Sequence, residues 1–586
     1  MPARIEVLGM EVVQSIQNMK GDIPLLAHKK TAVRVYVHPS GLATSVPVTG
    51  TLSVTREGKC EEIESAWSVE LRKDGHHPRL EDQRHSLDRS LCFFLDGAQV
   101  EPGQVELCLR RVTPTLRGDR DVGIEVGQQP AQADFWPGPT LSVRVVCLRV
   151  RDPRTNQMHE PNAGHRYAMR SFVERAFPVS RVQWSETTLD AATGFEPPYS
   201  DGGSSLADPG RTWQEKFDVA CAHLMAIRAR ELEDGEDRAT RYYGVVHHPT
   251  DFFVGAVSDV PATARPDIVG VGPADGSDGS YAGHELAHML GRLHPGFGSG
   301  QSKEDREFPS AYKGRLSSAM EGHYGFDVGD ATQRPRVLPF DHWYDLMTYG
   351  EPLWVSAYTY KGLLRGLQEE RAEPEKRTRE GDYLHVVGTY DLTKGATKGT
   401  LAYVFPGRIK SLASVETRDH VVAVGRDERE NTLFEANVEL KRAAAIDMPR
   451  DSGAFHITVG RHERLSRLEL WVDHHLACTL APSSTPRDAK AQVRARILSP
   501  SSGDDSYRLG IAWPEWYGRQ LSHTVQARRA GDGERWRTIA VGITAATSEV
   551  SLDRQELGLP SPVDVRILRA QGFSDTEIYL GQPYIA

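Results

Sequence analysis

The chain reads as a multidomain α+β protein, with an α/β centre flanked on both sides by all-β, sandwich-like domains. Three observations predict this. First, 586 residues with 39% hydrophobic and 26% charged content provide three or four soluble domains with cores of their own. Second, runs that alternate apolar and polar residues, the period of a half-buried strand, fill the first 130 residues and return after residue 383. Third, strand-like and helix-like stretches alternate between those regions, as they do where helices cover a sheet. The expected domains are 1–130, 139–370, 383–480 and 488–586.

In residues 31–37, Val33, Val35 and Val37 face one side and Arg34 and Tyr36 the other, before His38-Pro39-Ser40-Gly41 ends the strand. Residues 46–54 and 105–112 repeat the alternation, which suggests an antiparallel sandwich. No catalytic constellation stands here. The region reads as a packing or adhesion module or, more sharply, as a cover over a central cleft. Residues 128–140, with three prolines, read as a linker. Residues 141–150 are nearly all apolar, as in a strand buried on both faces. Helices are expected over 162–176 and 212–231. The second carries Trp213, Phe217, Cys221, Leu224 and Arg228 at three-to-four spacing, so one stripe packs on the sheet. Strands at 242–246 and at 252–257 or 267–272 precede a final helix at 358–367. After the charged, proline-bearing segment 371–382, strands return at 384–390, 401–405, 421–424, 455–459 and 468–472. A Pro/Ser linker at 482–486 leads to strands at 509–513, 524–528, 536–541 and 563–568, which suggest an immunoglobulin-like or fibronectin-like sandwich. Asp532-Gly533 fits a hairpin turn within it.

A net charge of −10 argues against nucleic acid or an anionic membrane as partner. No run of eighteen apolar residues exists, so no membrane span is expected. The N-terminus lacks the basic and apolar regions of a secretory signal. The reading is secretion or delivery outside the producing cell by another route, with a cytoplasmic location as the alternative. The six cysteines have no metal-site spacing, and reduced buried thiols are favoured over a bridge among Cys60, Cys92 and Cys108.

One stretch carries chemistry: Gly283-His284-Glu285-Leu286-Ala287-His288-Met289-Leu290-Gly291-Arg292-Leu293-His294-Pro295. On a helix, His284 and His288 lie about one turn apart on one face and can share an ion. Glu285 beside them is placed to take a proton from water rather than to bind the metal. Gly291 ends the helix through a left-handed backbone, and the reversal brings round His294 as third ligand. Three protein ligands with one position left to water mark a catalytic site for one Zn²⁺.

Met347 stands 53 positions after His294, in Tyr344-Asp345-Leu346-Met347-Thr348-Tyr349-Gly350. The zinc motif followed by this methionine resembles the signature of metzincin metallopeptidases, locally of the serralysin and astacin branches. No glycine-aspartate repeat array of the calcium-binding kind follows. The resemblance implies that Met347 forms a structural floor beneath the imidazoles and that Tyr349 hydrogen-bonds the oxyanion. It further implies an edge strand before the zinc helix that binds substrate backbone, assigned to Val269, Gly270, Val271 and Gly272.

Asp275 and Asp278 fail the spacing of a calcium loop and read as a loop. The long stretch 295–343 is expected to form the lower wall of the cleft. Trp354 and Tyr358 then line that pocket or, as the plainer reading, pack in the core. The expected function is zinc-dependent hydrolysis of a protein or peptide substrate, consistent with a secreted or delivered effector or toxin. The alternative is a latent or inactive metzincin scaffold whose β modules bind a protein or glycan target or delivery machinery.

Overall fold

A computed structural model of the chain describes residues 3–115, 124–127, 130–151, 157–190, 213–247, 256–258, 260–274, 279–296, 304–372, 380–392, 397–410, 420–439, 452–481, 493–500, 507–514, 522–531, 533, 535–544 and 549–585. The chain is a mixed α/β protein, predominantly strand, built from many separate sheets. Its principal helices are α1 (Leu80–Arg84), α2 (Ala163–Ala176), α3 (Trp213–Glu233), α4 (Ser280–Met289), α5 (Ala357–Ala372) and α6 (Arg554–Leu557). Among the described residues no helix is long and apolar enough to cross a membrane.

The N-terminal region packs two sheets face to face. One orders Ile124–Val126, Ala3–Val13, Thr31–Ser40 and Leu91–Leu95; the other is centred on Gly103–Pro114 and Val46–Arg56. Val33, Val35 and Val37 point into their shared core with Leu52, Phe93 and Leu107. The opposite face of this strand is buried as well, contrary to the expectation of a half-exposed strand. Arg34 and Tyr36 are covered there because both meet Glu11: Tyr36 donates to its carboxylate at 2.5 Å, and Arg84 of α1 reaches the same group at 2.6 Å. The expected linker is also corrected. Ala131–Trp136 is a strand paired antiparallel with Gly103–Pro114, so the N-terminal sheet continues past residue 130.

In the centre, Arg181–Asp190, Thr140–Arg151, Arg241–Val246 and Val269–Pro273 run parallel, and the short Ala256–Val257 closes one side antiparallel. Alternate residues of Thr140–Arg151 serve two cores. Leu141, Val143, Val145 and Cys147 pack with α2, α4 and α5, whereas Val146, Leu148 and Val150 pack with α3. Asn162 starts α2 by accepting the His165 amide proton at 2.9 Å.

Helix α3 was expected to bury one stripe. Instead every residue from Lys216 to Ala229 is buried, because the C-terminal sheets cover the face turned away from the central sheet. Leu224 and Ile227 share a core with Val387 and Phe405 and with Val525, Ile539 and Val565. Its polar residues find partners in those sheets: Asp218 accepts from Ser452 at 2.6 Å and His223 lies 2.5 Å from the Tyr403 hydroxyl. The C-terminal region comprises two pairs of antiparallel sheets, 380–480 and 494–581 in extent. Within it His523–Arg529 pairs antiparallel with Arg537–Ile543, the two strands that flank the hairpin expected at Asp532-Gly533; Asp532 itself lies outside the described residues. The linker expected at 482–486 and the loop of Asp275 and Asp278 lie outside the described residues, as does most of 371–382. All six cysteines are free.

The described part of the 295–343 stretch contains short strands rather than being irregular throughout. Its Tyr324–Asp327 pairs with Ile16–Gln17 of the N-terminal region and with Arg336–Leu338. The N-terminal sandwich therefore packs directly against the central unit. Ser15 donates to the Arg175 carbonyl at 2.6 Å and accepts the Trp354 indole N–H at 2.9 Å; Asp22 lies 2.6 Å from His323. Trp354 is a core residue.

Candidate metal centre

Helix α4 is positioned by small residues. A side chain at Gly283 would strike the Phe172 ring of α2, so glycine lets the two helices touch. The helix ends at Leu290, and Gly291 follows with φ +82°. Its N–H donates to the His288 carbonyl at 2.9 Å and that of Arg292 to the Ala287 carbonyl at 3.0 Å, the paired bonds of a Schellman cap. Any Cβ at Gly291 would also lie 2.7 Å from the Thr263 backbone, so glycine is required twice over.

That reversal delivers His294 to the other two histidines. The Nε2 atoms of His284, His288 and His294 stand 3.1 Å from one another in all three pairings. Among the described residues this is the one cluster of three His, Cys, Asp or Glu with metal-site geometry. Two rings are fixed in tautomer: His284 Nδ1 donates to the Leu346 carbonyl at 2.7 Å and His288 Nδ1 to the Arg292 carbonyl at 2.6 Å. Their Nε2 atoms thus carry lone pairs aimed at a common point. Burial pushes His284 down to about 4 and His288 well below the usual histidine range, so both are neutral at pH 7. Converging lone pairs repel unless a cation lies between them. Tetrahedral bonds of about 2.0–2.1 Å to Zn²⁺ would set the nitrogens roughly 3.3 Å apart, which these residues fit.

Glu285 is 3% exposed, and its Oε2 has no hydrogen-bond partner among the described residues. Burial raises its carboxyl well above the ordinary value. Tyr349 is 46% exposed, and its hydroxyl lies 3.2 Å from His294 Nε2. Met347 is buried in the same core as Leu286 and Leu290, and its amide donates to Asp345 Oδ1 at 2.8 Å. The other Asp345 oxygen accepts the Ser356 amide at 3.1 Å, so one buried carboxylate shapes the turn that presents the Leu346 carbonyl to His284. Asp345 lies inside the methionine-turn motif, but the motif alone assigns it no role. An aspartate two residues before the methionine is a turn-capping signal that could have identified it.

No protein-family model and no curated protein matches this sequence. The geometry stands by itself.

One assignment is overturned. Val269, Gly270, Val271 and Gly272 do not form a free edge: they lie between Arg241–Val246 and Ala256–Val257, with Gly270 opposite Val257 and Val271 opposite Ala256. All four are buried. Glycine at 270 serves packing instead, since a Cβ there would meet the Met289 methyl of α4 at 2.7 Å. The outer position of this sheet belongs to Ala256–Val257. Of the expected pocket residues, Tyr358 donates to Asp305 at 3.0 Å.

Proposed function

We infer that the chain is a zinc-dependent endopeptidase with a metzincin-type catalytic domain. One observation carries the reading: three imidazole nitrogens converge at 3.1 Å, and Glu285, next in sequence to His284 on the same helix, is a buried carboxylate whose Oε2 has no hydrogen-bond partner among the described residues. A structural histidine cluster has no use for such a carboxylate, whose unpaired burial costs free energy. His284, His288 and His294 would hold the ion, which when bound supplies a Lewis acid and makes water acidic enough to react near neutral pH. Glu285 takes the proton of the attacking water at Oε2 and returns it to the amine nitrogen of the departing peptide. The Tyr349 hydroxyl donates to the carbonyl oxygen as it gains negative charge. A polypeptide substrate would run extended along Ala256–Val257, pairing backbone to backbone.

The test is zinc content and cleavage of denatured casein for the wild type beside Glu285→Gln. One zinc per chain in both, with hydrolysis in the wild type only, is expected. Hydrolysis by Glu285→Gln at the wild-type rate, or a wild type that binds no zinc, would sink the reading.

A further inference from the structure

The segment that carries the third histidine is clamped from outside the motif. Arg292 stands between Gly291 and His294, and its backbone carbonyl is the acceptor that orients His288. Its guanidinium donates to Asp305 Oδ2 at 3.0 Å and lies over the Tyr358 ring of α5, 4.8 Å from the centroid. The space it enters exists because residue 362 of α5 is glycine: a Cβ there would collide with the Arg292 side chain. Tyr358 donates to both oxygens of Asp305, at 3.1 and 3.0 Å, and the Glu307 amide donates to Oδ1 at 3.0 Å. The side chains of Arg292 and Asp305 are only 13% and 11% exposed. The backbone completes the clamp: His294–Pro295 pairs in parallel with Glu304–Asp305, Pro295 opposite Asp305.

One carboxylate thus acts on two ligands by separate routes. Through Arg292 it fixes the carbonyl that sets the tautomer and aim of His288. Through the short strand that contains it, it fixes the backbone of His294. We propose that Asp305, buttressed by Tyr358, is a positioning residue of the metal centre that holds His288 and His294 in ligating geometry. The proposal rests on the metal-site reading above. Asp305 approaches none of the three Nε2 atoms as a ligand; it acts on the metal only through the two histidines. The pairing is buried and charge-assisted, so its loss is felt at the centre and not only at the surface.

The experiment measures zinc affinity by competition with a chromophoric chelator, and the visible d–d spectrum of the Co²⁺-loaded full-length chain. It compares wild type, Asp305→Asn and Tyr358→Phe. Asp305→Asn should weaken zinc binding about 10- to 100-fold and shift the Co²⁺ bands, with folded circular dichroism retained. Tyr358→Phe, which keeps the ring under Arg292 and removes the hydroxyl proton shared by the two Asp305 oxygens, should weaken binding less and in the same direction. If Asp305→Asn misfolds, Tyr358→Phe alone decides. Tight wild-type binding with affinity and Co²⁺ spectrum unchanged in the folded variants would overturn this proposal and leave the metal site standing. A wild type that binds neither ion would overturn the metal site and this proposal together.

Discussion

His284 Nδ1 donates to the carbonyl of Leu346, 62 residues further along the chain, at 2.7 Å. The bond joins the zinc motif to the methionine turn, and Asp345 sets its geometry. Replacing Asp345 by Ala leaves the amides of Met347 and Ser356 without acceptors in a buried turn, at about 1–3 kcal/mol each. The expected result is a clear fall in thermal midpoint with at least tenfold weaker zinc binding, read by calorimetry and chelator competition. Met347→Leu, close in volume, should cost less than about 1.5 kcal/mol and keep the metal.

Tyr349 is exposed where the other site residues are buried. Tyr349→Phe should therefore leave stability and zinc content unchanged while lowering kcat about 10- to 100-fold with little change in KM. A fall in zinc affinity instead would make the tyrosine a structural prop of His294.

The N-terminal sandwich shares a core with the central unit. Ile16 and Ile23 enter the same core as Leu346 and Trp354. Deleting residues 1–137 should yield a chain that is less stable and no more active. Higher casein cleavage after that deletion would restore the idea of an inhibitory cover.

Lys29 is buried at this junction, donating to the Glu174 carbonyl at 2.5 Å, near Arg175 and Asp327. Burial lowers its pKa from 10.5 to about 7, with Glu174 opposing. A folded state that resists protonation loses stability as pH falls from about 10.5 to about 7, and the loss is complete below that. Lys29→Met removes the titration. Its stability relative to wild type should rise by roughly 2–3 kcal/mol between pH 9.5 and pH 7, at about 1.4 kcal/mol per pH unit. A difference independent of pH would mean that the ammonium stays solvated.

Glu231 is the hub between the central and C-terminal sheets. It accepts from Arg144 at 3.1 Å, from the Tyr242 hydroxyl at 2.7 Å and from the Thr538 amide at 3.0 Å. Glu231→Ala leaves buried Arg144 with Glu556 as its carboxylate partner but takes the acceptor from the Tyr242 hydroxyl and the Thr538 amide, and should cost about 1–3 kcal/mol for each donor so orphaned. Calorimetry should then resolve an earlier transition, that of the C-terminal sheets leaving α3.

The histidine cluster was legible because its three residues, with Glu285 and Gly291, sit within eleven positions, where helix pitch and one glycine turn dictate geometry. Tyr349 was legible only by resemblance, yet the fold brings its hydroxyl to 3.2 Å from His294. Asp305 was invisible, since its role depends on α5 meeting the Arg292 side chain, which no local spacing encodes. The same limit explains Arg34 and Tyr36. Alternation reveals that a strand has two faces, not that α1 covers the second. The edge assignment failed at Val269–Gly272 for a related reason: two glycines signal close approach, but what approaches is the α4 methionine, not a ligand.

Helix α3 has no outward side, and this constrains how such a chain can change over generations. An appended module on a flexible tether can be exchanged by recombination without disturbing its neighbour. Here a replacement for the C-terminal sheets would have to match Leu224 and Ile227 in shape and still offer partners to Asp218, His223 and Glu231. The central unit and its C-terminal partner are therefore inherited as one piece, and substitutions on either side of α3 should be traceable as compensating pairs.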